Sequence, residues 1–426
     1  MTLARAALST LVAAALGAAA LQAHAVDQTL PGAGNAQADQ TAAASPRVRE
    51  AHEFLLRQAR QIRNRALREA TLDLLGNRGF CVRSRVGVDD ATKAALLAKL
   101  AAASLVNPAD DASFPGGLSA GVFPPVLDAQ TACPRLPMAF DSAPGSAFAS
   151  HHGYPGGLPI HEANNLRAGL GLAAGYRRSY RGVEAGEEHG HDDDEAAGWM
   201  RSPFFIDQDV IIAAPIWHDW AKTLVFQWAA DGSEFKELSF GGTPANGSAT
   251  GGHHVLGIAE SMKRGLPPAF VIAQASAHSS PTLGNEFKVV AWLRAAGILA
   301  QLDPVAAGYL VQDAKGFHLP PLRRLADGLD LIGAGQTNLL AEYTIHNMSD
   351  GDFTFSIPAA GDAALLIARL APRYGFDPAN AAVYNTQFRN PVLANISQER
   401  ILVLYGNGGL AAVQAELDAL RARHGF

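Results

Sequence analysis

The run "SPFFIDQDVIIAAPIWHDWAKTLVFQW", residues 202–228, decides the fold class. Ser202 stands as an N-cap and Pro203 falls in the first turn, where its missing N–H costs nothing. The stretch that follows predicts a helix, kinked by Pro215 just before His218. His218 and Asp219 are adjacent, and neighbouring residues on a helix point about 100° apart. Both reach one ion only if it lies against the helix flank and other helices complete its shell. Lys222, three residues after Asp219, lies on nearly the same face, where a cation meets a bound phosphate rather than a metal.

Working outward, candidate partners stand at the starts or ends of further predicted helices. They are His161 in "HHGYPGGLPIH" (151–161), His253 or His254 in "GGHHVLG" (251–257), and His278 in "QASAHSSP" (274–281). Imidazole and carboxylate together suit one or two divalent transition ions, Mn, Zn, Fe or Ni, rather than calcium, which prefers oxygen alone. Asp219 has two oxygens and can bridge a pair of ions. Two glycines let the turn after His151 and His152 approach the ion pocket closely, with Tyr154 packed or hydrogen-bonded beneath.

Helical spacing also predicts helices over residues 46–76, 89–106, 253–264, 267–277, 285–301, 318–332, 337–349, 360–372 and 409–423. Ser45 and Pro46 form the first of these starts, and Gly76 its stop. Strand signals are short, "TFSI" at 354–357 and "ERILVLYG" at 399–406. Residues 107–150, rich in Pro, Gly and Ser, read as a long surface excursion, and 26–45 as a flexible linker. The charged run "EEHGHDDDE" at 187–195 reads as a solvated loop, "GGTPANGSATGG" at 241–252 as a loop over the pocket or plain linker, and "GNGG" at 406–409 as a helix-entry turn. The fold class is mainly α.

With 426 residues, 48% hydrophobic and 17% charged, the chain has room for one large domain with extensions, or for two domains. Net charge is −6 and no basic block occurs, which argues against stable nucleic-acid binding. Residues 1–25 read as a signal peptide: Arg5, the apolar run from Ala6 to Leu21, then the small-x-small pattern Ala23-His24-Ala25. The expected location is therefore exported, periplasmic or extracellular, with no membrane span left after cleavage. There the only cysteines, Cys81 and Cys133, are candidates for one disulfide.

"HHGYPGGLPIH", "IWHDWAK", "GHHVLG" and "AHSS" together resemble the ordered motifs of the HD-domain metal-dependent phosphohydrolase superfamily, and most nearly the helical domain of HD-containing 3′-to-5′ exoribonucleases. The resemblance covers roughly residues 150–280, about a third of the chain. It implies an HD-type helical bundle at 151–357 with an insertion near 285–335, an N-terminal helical and loop extension at 46–150, and a C-terminal α-rich extension at 358–426. It implies metal ligands at His161, His218, Asp219, His253 and His278. Gly257 selects His253, with His254 in reserve. The family's closing Asp has no counterpart after "NEFKVVAWLRAAGILAQ". Asp350 is favoured, because Glu342 precedes it by eight residues in "EYTIHNMSDGD", while Asp327 and Asp303 remain alternatives.

The chemistry implied is metal-assisted hydrolysis of a small phosphorylated substrate. Asp219 fixes the metal, while Lys222 with His151 or His152 neutralises charge on the phosphate. The departure at the last Asp keeps a second function in view, a degenerate HD domain that binds metal or ligand or serves as a scaffold. A third is a metal hydrolase or oxygenase acting on a substrate without phosphate.

Overall fold

The computed structural model describes residues 32–179, 206–233, 237–242, 247–322 and 339–424. The signal-peptide reading, the start of the linker, Ser202, Pro203, the 187–195 run and Asp327 lie outside those residues. The architecture is mainly α. Its longer helices are α1 (Asn35–Ala44), α2 (Pro46–Ala59), α3 (Arg65–Gly76), α4 (Asp90–Ala102), α5 (Gly157–Ser179), α6 (Gln208–His218), α7 (Gly252–Lys263), α8 (Pro268–Ala275), α9 (Glu286–Ala300), α10 (Leu340–Asp350), α11 (Phe353–Leu370) and α12 (Gln398–His424). Two small antiparallel hairpins accompany them, β1 (Ser239–Phe240) with β2 (Thr250–Gly251) and β3 (Val311–Asp313) with β4 (Gly316–His318).

Helix α6 is the axis of the bundle. Every residue from Val210 to His218 is buried, the pattern of a helix surrounded by others, and it packs on α2, α3, α5, α7, α8 and α10. Asp207 caps its start by accepting from the backbone N–H groups of Asp209 and Val210. Pro215 lies in the last turn, so the expected kink is instead a helix end. The helix stops at His218 and leaves Asp219 as its C-cap. Trp217, Trp220, Trp228 and Trp292 are fully buried around this axis. The Phe80 ring meets Trp220 edge-on at 5.5 Å.

Several expectations are corrected. Part of the linker, 35–44, is helix α1, with Ala38, Thr41 and Ala42 buried at helical spacing. Gly34 ahead of it lies so close to the Ala229 carbonyl that a Cβ would come within 2.0 Å of the oxygen. Small side chains and backbone contacts hold this helix, which is why it lacks a hydrophobic signature. The helix expected over 46–76 is divided into α2 and α3, although Ser45 caps α2 as expected by accepting from the Val48 N–H. The 107–150 stretch is packed rather than superficial, with Leu118, Val122, Leu136, Met138 and Phe140 buried. Cys133 lies in this stretch and is bonded to Cys81.

Both predicted strands are helical. In α11 the buried Ser356, Ala359, Ala360, Ala363, Ile367 and Leu370 follow the helix period against α12. In α12, Ile401 is buried while Val403 and Tyr405 are exposed, which a two-residue period cannot produce. Gly408 and Gly409 leave helical geometry within α12, so "GNGG" does mark a helix entry. The helix expected over 318–332 begins in strand β4, and residues 323–338 fall outside the described ones. Among the described residues one helical run, Leu340–Tyr374, is long and apolar enough to cross a membrane by length and composition, where the sequence reading expects two short helices, 337–349 and 360–372, separated by a strand. It consists of α10 and α11 meeting at Gly351-Asp352, and the buried face of α10 carries Glu342, His346 and Asp350.

Candidate metal centre

Four helices and one helix end bring the predicted residues together. His161 projects from the second turn of α5, His218 from the end of α6 with Asp219 after it, His253 from the start of α7, and Asp350 from the end of α10. The His161 Nε2 lies 3.2 Å from Asp219 Oδ2 and 3.3 Å from Asp350 Oδ1. The His218 Nε2 lies 3.3 Å from each of the same two oxygens. His253 approaches from the other side, its Nε2 2.9 Å from Asp219 Oδ1. His278, after α8, closes the ring, its centroid 5.3 Å from that of His253 and 6.2 Å from that of His218.

The far side of each ring is tied down, which fixes what the near side offers. The His218 Nδ1 donates to the Pro215 carbonyl at 2.8 Å, which presents Nε2 as a lone pair to the carboxylates. The His253 Nδ1 meets Glu237 Oε2 at 2.5 Å, the carboxylate–histidine arrangement common behind metal ligands. The His278 Nδ1 pairs with Thr250 Oγ1 at 2.9 Å. Asn165, one turn after His161, donates to Asp350 Oδ1 at 3.2 Å.

The buried His218 Nε2, His253 Nε2 and Asp219 Oδ1 face only one another and Asp350, as imidazole–carboxylate pairs that close only if a proton or a cation lies between them. Each such atom costs about 1–3 kcal/mol if nothing satisfies it. Two sets, His161 with His218 and Asp350, and His218 with Asp219 and His278, each place one ligand atom per residue within 4.8 Å of the others. Nitrogen and carboxylate donors of this kind fit a divalent transition ion.

The electrostatics call for positive charge at the same place. Burial pushes the His161 and His253 imidazoles down, but facing carboxylates override it and hold both up at about 9. His218 is likewise raised well above its ordinary value. Burial works against charge on Asp219 and Asp350 too, yet His218 beside them holds both carboxyls well below the usual range. Without a cation, protons on the histidines serve as the counter-charge. His278 opens onto the cavity yet is hemmed in by protein, and burial together with His253 lowers it to about 4.

The ring opens into a cavity of ≈ 440 Å³ lined by His151, His161, Asp219, Lys222, His253, His278 and Asp350, with Phe226 and Phe353. Lys222 lines this cavity, but its ammonium pairs with Asp219 and the Gly145 carbonyl rather than standing free for a phosphate. His151 reaches the cavity wall. His152 does not line it: the ring is fully buried, with Nδ1 3.2 Å from the Tyr154 hydroxyl, so Tyr154 does lie beneath the turn. Among the alternatives, His254 turns away to Thr250 and stacks 4.3 Å from His278. Asp303 caps its own loop by accepting from Val305 and Ala306.

The sequence reading misses four polar neighbours. Glu162 is fully buried beside His218 at 3.4 Å, with its carboxyl pushed up to about 8 by burial. His346 donates to the Ala273 carbonyl, and its ring lies 5.1 Å from that of His218. Glu237 and Asn165 complete the group. His346 and Asn165 leave a signal, since each lies one helical turn from a predicted ligand, Asp350 and His161. Comparison with known protein families, with characterised protein sequences and with solved structures finds no match to this chain.

Proposed function

We propose that the chain is an exported, metal-dependent phosphohydrolase or phosphodiesterase of the HD type, acting on a small phosphorylated substrate. The observation that carries this reading is the convergence of His161, His218, Asp219 and Asp350 in one buried cluster, in which imidazole nitrogens and carboxylate oxygens face one another at 3.2–3.3 Å and could each offer an atom to one ion. His161, His218, Asp219, His253, His278 and Asp350 would hold one or two divalent transition ions. When bound, the metal supplies Lewis-acid charge and activates water for phosphoryl transfer.

The chain's own residues do the rest. Glu237 and the Pro215 carbonyl orient the His253 and His218 rings. Lys222 neutralises Asp219 at rest and, from the cavity wall, can shift its ammonium toward an entering phosphate. His151 lines the same wall as a second contact. The cavity volume of ≈ 440 Å³ suits a small ligand rather than a polymer.

The test is a metal count by elemental analysis on the mature protein, followed by a screen of phosphomonoesters and diesters with Mn, Zn, Ni and Mg. The expected result is at least one bound ion and turnover, both lost in Asp219→Ala. Full metal occupancy without turnover on any ester would replace the hydrolase with a metal-binding or scaffold domain.

A further inference from the structure

In the double histidine before α5, His151 reaches the cavity wall but His152 is left without a role that its geometry explains. His152 is fully buried and sits off the cavity, and its backbone has φ +55°, a left-handed region that is uncommon outside Gly but that Asn, Asp and His adopt more readily than other residues. The turn is locked there. The His152 carbonyl accepts from the Gly145 N–H, and a Cβ at Gly157 would come within 1.9 Å of that same oxygen. This construction points the rings of His151, His152 and His161 at one another, with centroids 5.0–5.5 Å apart.

We propose that His151, His152 and His161 form a cation site of their own, taking a divalent transition ion that favours imidazole, such as zinc. One ring nitrogen from each lies within 4.8 Å of the other two. The nitrogens His151 Nδ1, His152 Nε2 and His161 Nδ1 are all buried with no hydrogen-bond partner. A histidine that merely packs in a core satisfies its ring nitrogens. Asp352 adds a nearby negative charge. Its Oδ2 lies 3.9 Å from His152 Nε2, and its Oδ1 is buried without a partner.

Three imidazole nitrogens with one carboxylate nearby match a four-coordinate, nitrogen-rich zinc shell, with Zn–N bonds of about 2.0–2.1 Å. The site leans on the metal centre proposed above through His161 alone. The Nε2 of that ring faces Asp219 and Asp350 and its Nδ1 is left for the second ion, so with both ions bound His161 would bridge them as an imidazolate, its ring protons released to solvent on metal binding.

The experiment strips the full chain with a chelator, reloads it with zinc, and counts ions per chain after gel filtration. It compares the native chain with Asp219→Ala, His152→Asn and His151→Gln. Asn tolerates the left-handed backbone at position 152. His151→Gln, at the cavity wall, gives a second variant should the first not fold. Reloading with cobalt gives an independent readout in the visible bands of the bound ion. The expected result is that each histidine variant loses one ion and one set of bands, while keeping the ion that Asp219→Ala removes. A native chain with a single ion that Asp219→Ala removes and both histidine variants keep would overturn this inference and leave the hydrolase reading standing. A single ion that only the histidine variants remove would do the reverse.

Discussion

Helices α2 and α3 and the polar centre beside them treat buried polar atoms in opposite ways. At the start of α2, Ser45 Oγ accepts from the Val48 N–H and donates to the Ala394 carbonyl. In α3, Thr71 donates its hydroxyl to the Leu67 carbonyl and accepts from the Trp217 indole. At the centre, a few ångströms further along α6, His218 Nε2 faces Asp219 and Asp350, Asp219 Oδ1 faces His253 Nε2, and Glu162 faces His218 Nδ1 at 3.4 Å. One region closes its hydrogen bonds on backbone and neutral groups. The other sets ionisable groups against one another, a cluster whose charge a bound cation would balance.

The largest difference between the two should appear in pH dependence after metal is stripped. His161 and His253, held at about 9 in the folded chain, keep protons that an unfolded chain with ordinary values near 6.5 has lost. Between those values the folded state binds more protons, so stability falls as pH rises through about 9. Glu162, pushed up to about 8, acts in the same direction. On the acid side the sign reverses. His151 at about 2, His346 at about 3 and His278 at about 4 are neutral in the fold, so the unfolded chain gains protons first below about 6.5. Melting temperature of the stripped chain should therefore peak near pH 6.5, and metal should remove most of the decline on the alkaline side. A flat profile from pH 6 to 9.5 would mean that the centre is not as charged as its geometry implies.

Next in size is Leu55→Ala in α2, where the side chain is fully buried. It should cost about 2–5 kcal/mol in denaturant unfolding. The folded fraction should keep its full metal content, because the lesion lies in the closed region.

Glu237→Gln removes the charge behind His253 without emptying the site, and should weaken metal affinity about 10–100-fold. A competitive chelator titration reads it, and unchanged affinity would separate Glu237 from the centre. The smallest effect expected is from Ser45→Ala, about 1 kcal/mol for a lost cap, with metal affinity unaltered.

How much of this was legible in the sequence follows the same division. Local chemistry was readable where it is short-range, at the Ser45-Pro46 start and at the "GNGG" helix entry, whereas the Pro215 kink was in fact a helix end. The ligand candidates were readable because histidines and aspartates in ordered motifs are few, and the fold brings five of the six to the wall of one cavity with His218 buried directly behind Asp219 and Asp350. Glu237 and Glu162 were not, because each is defined by a partner distant in the chain, or by burial alone. Helix α1 and the start of α12 were misread for the complementary reason. Ala-rich and β-branched segments take their conformation from the surfaces they pack on, Trp228–Ala229 for one and α11 for the other.

The central claim is that side chains from α5, α6, α7 and α10 meet on a common cation. X-ray absorption at the metal edge, on the full chain reloaded with zinc and dialysed, tests it most directly. The account predicts a shell of nitrogen and oxygen with clear imidazole scattering and no sulfur, lost in Asp219→Ala and Asp350→Ala. A chain that retains no zinc, or holds it in an imidazole-free shell that both variants keep, would contradict it.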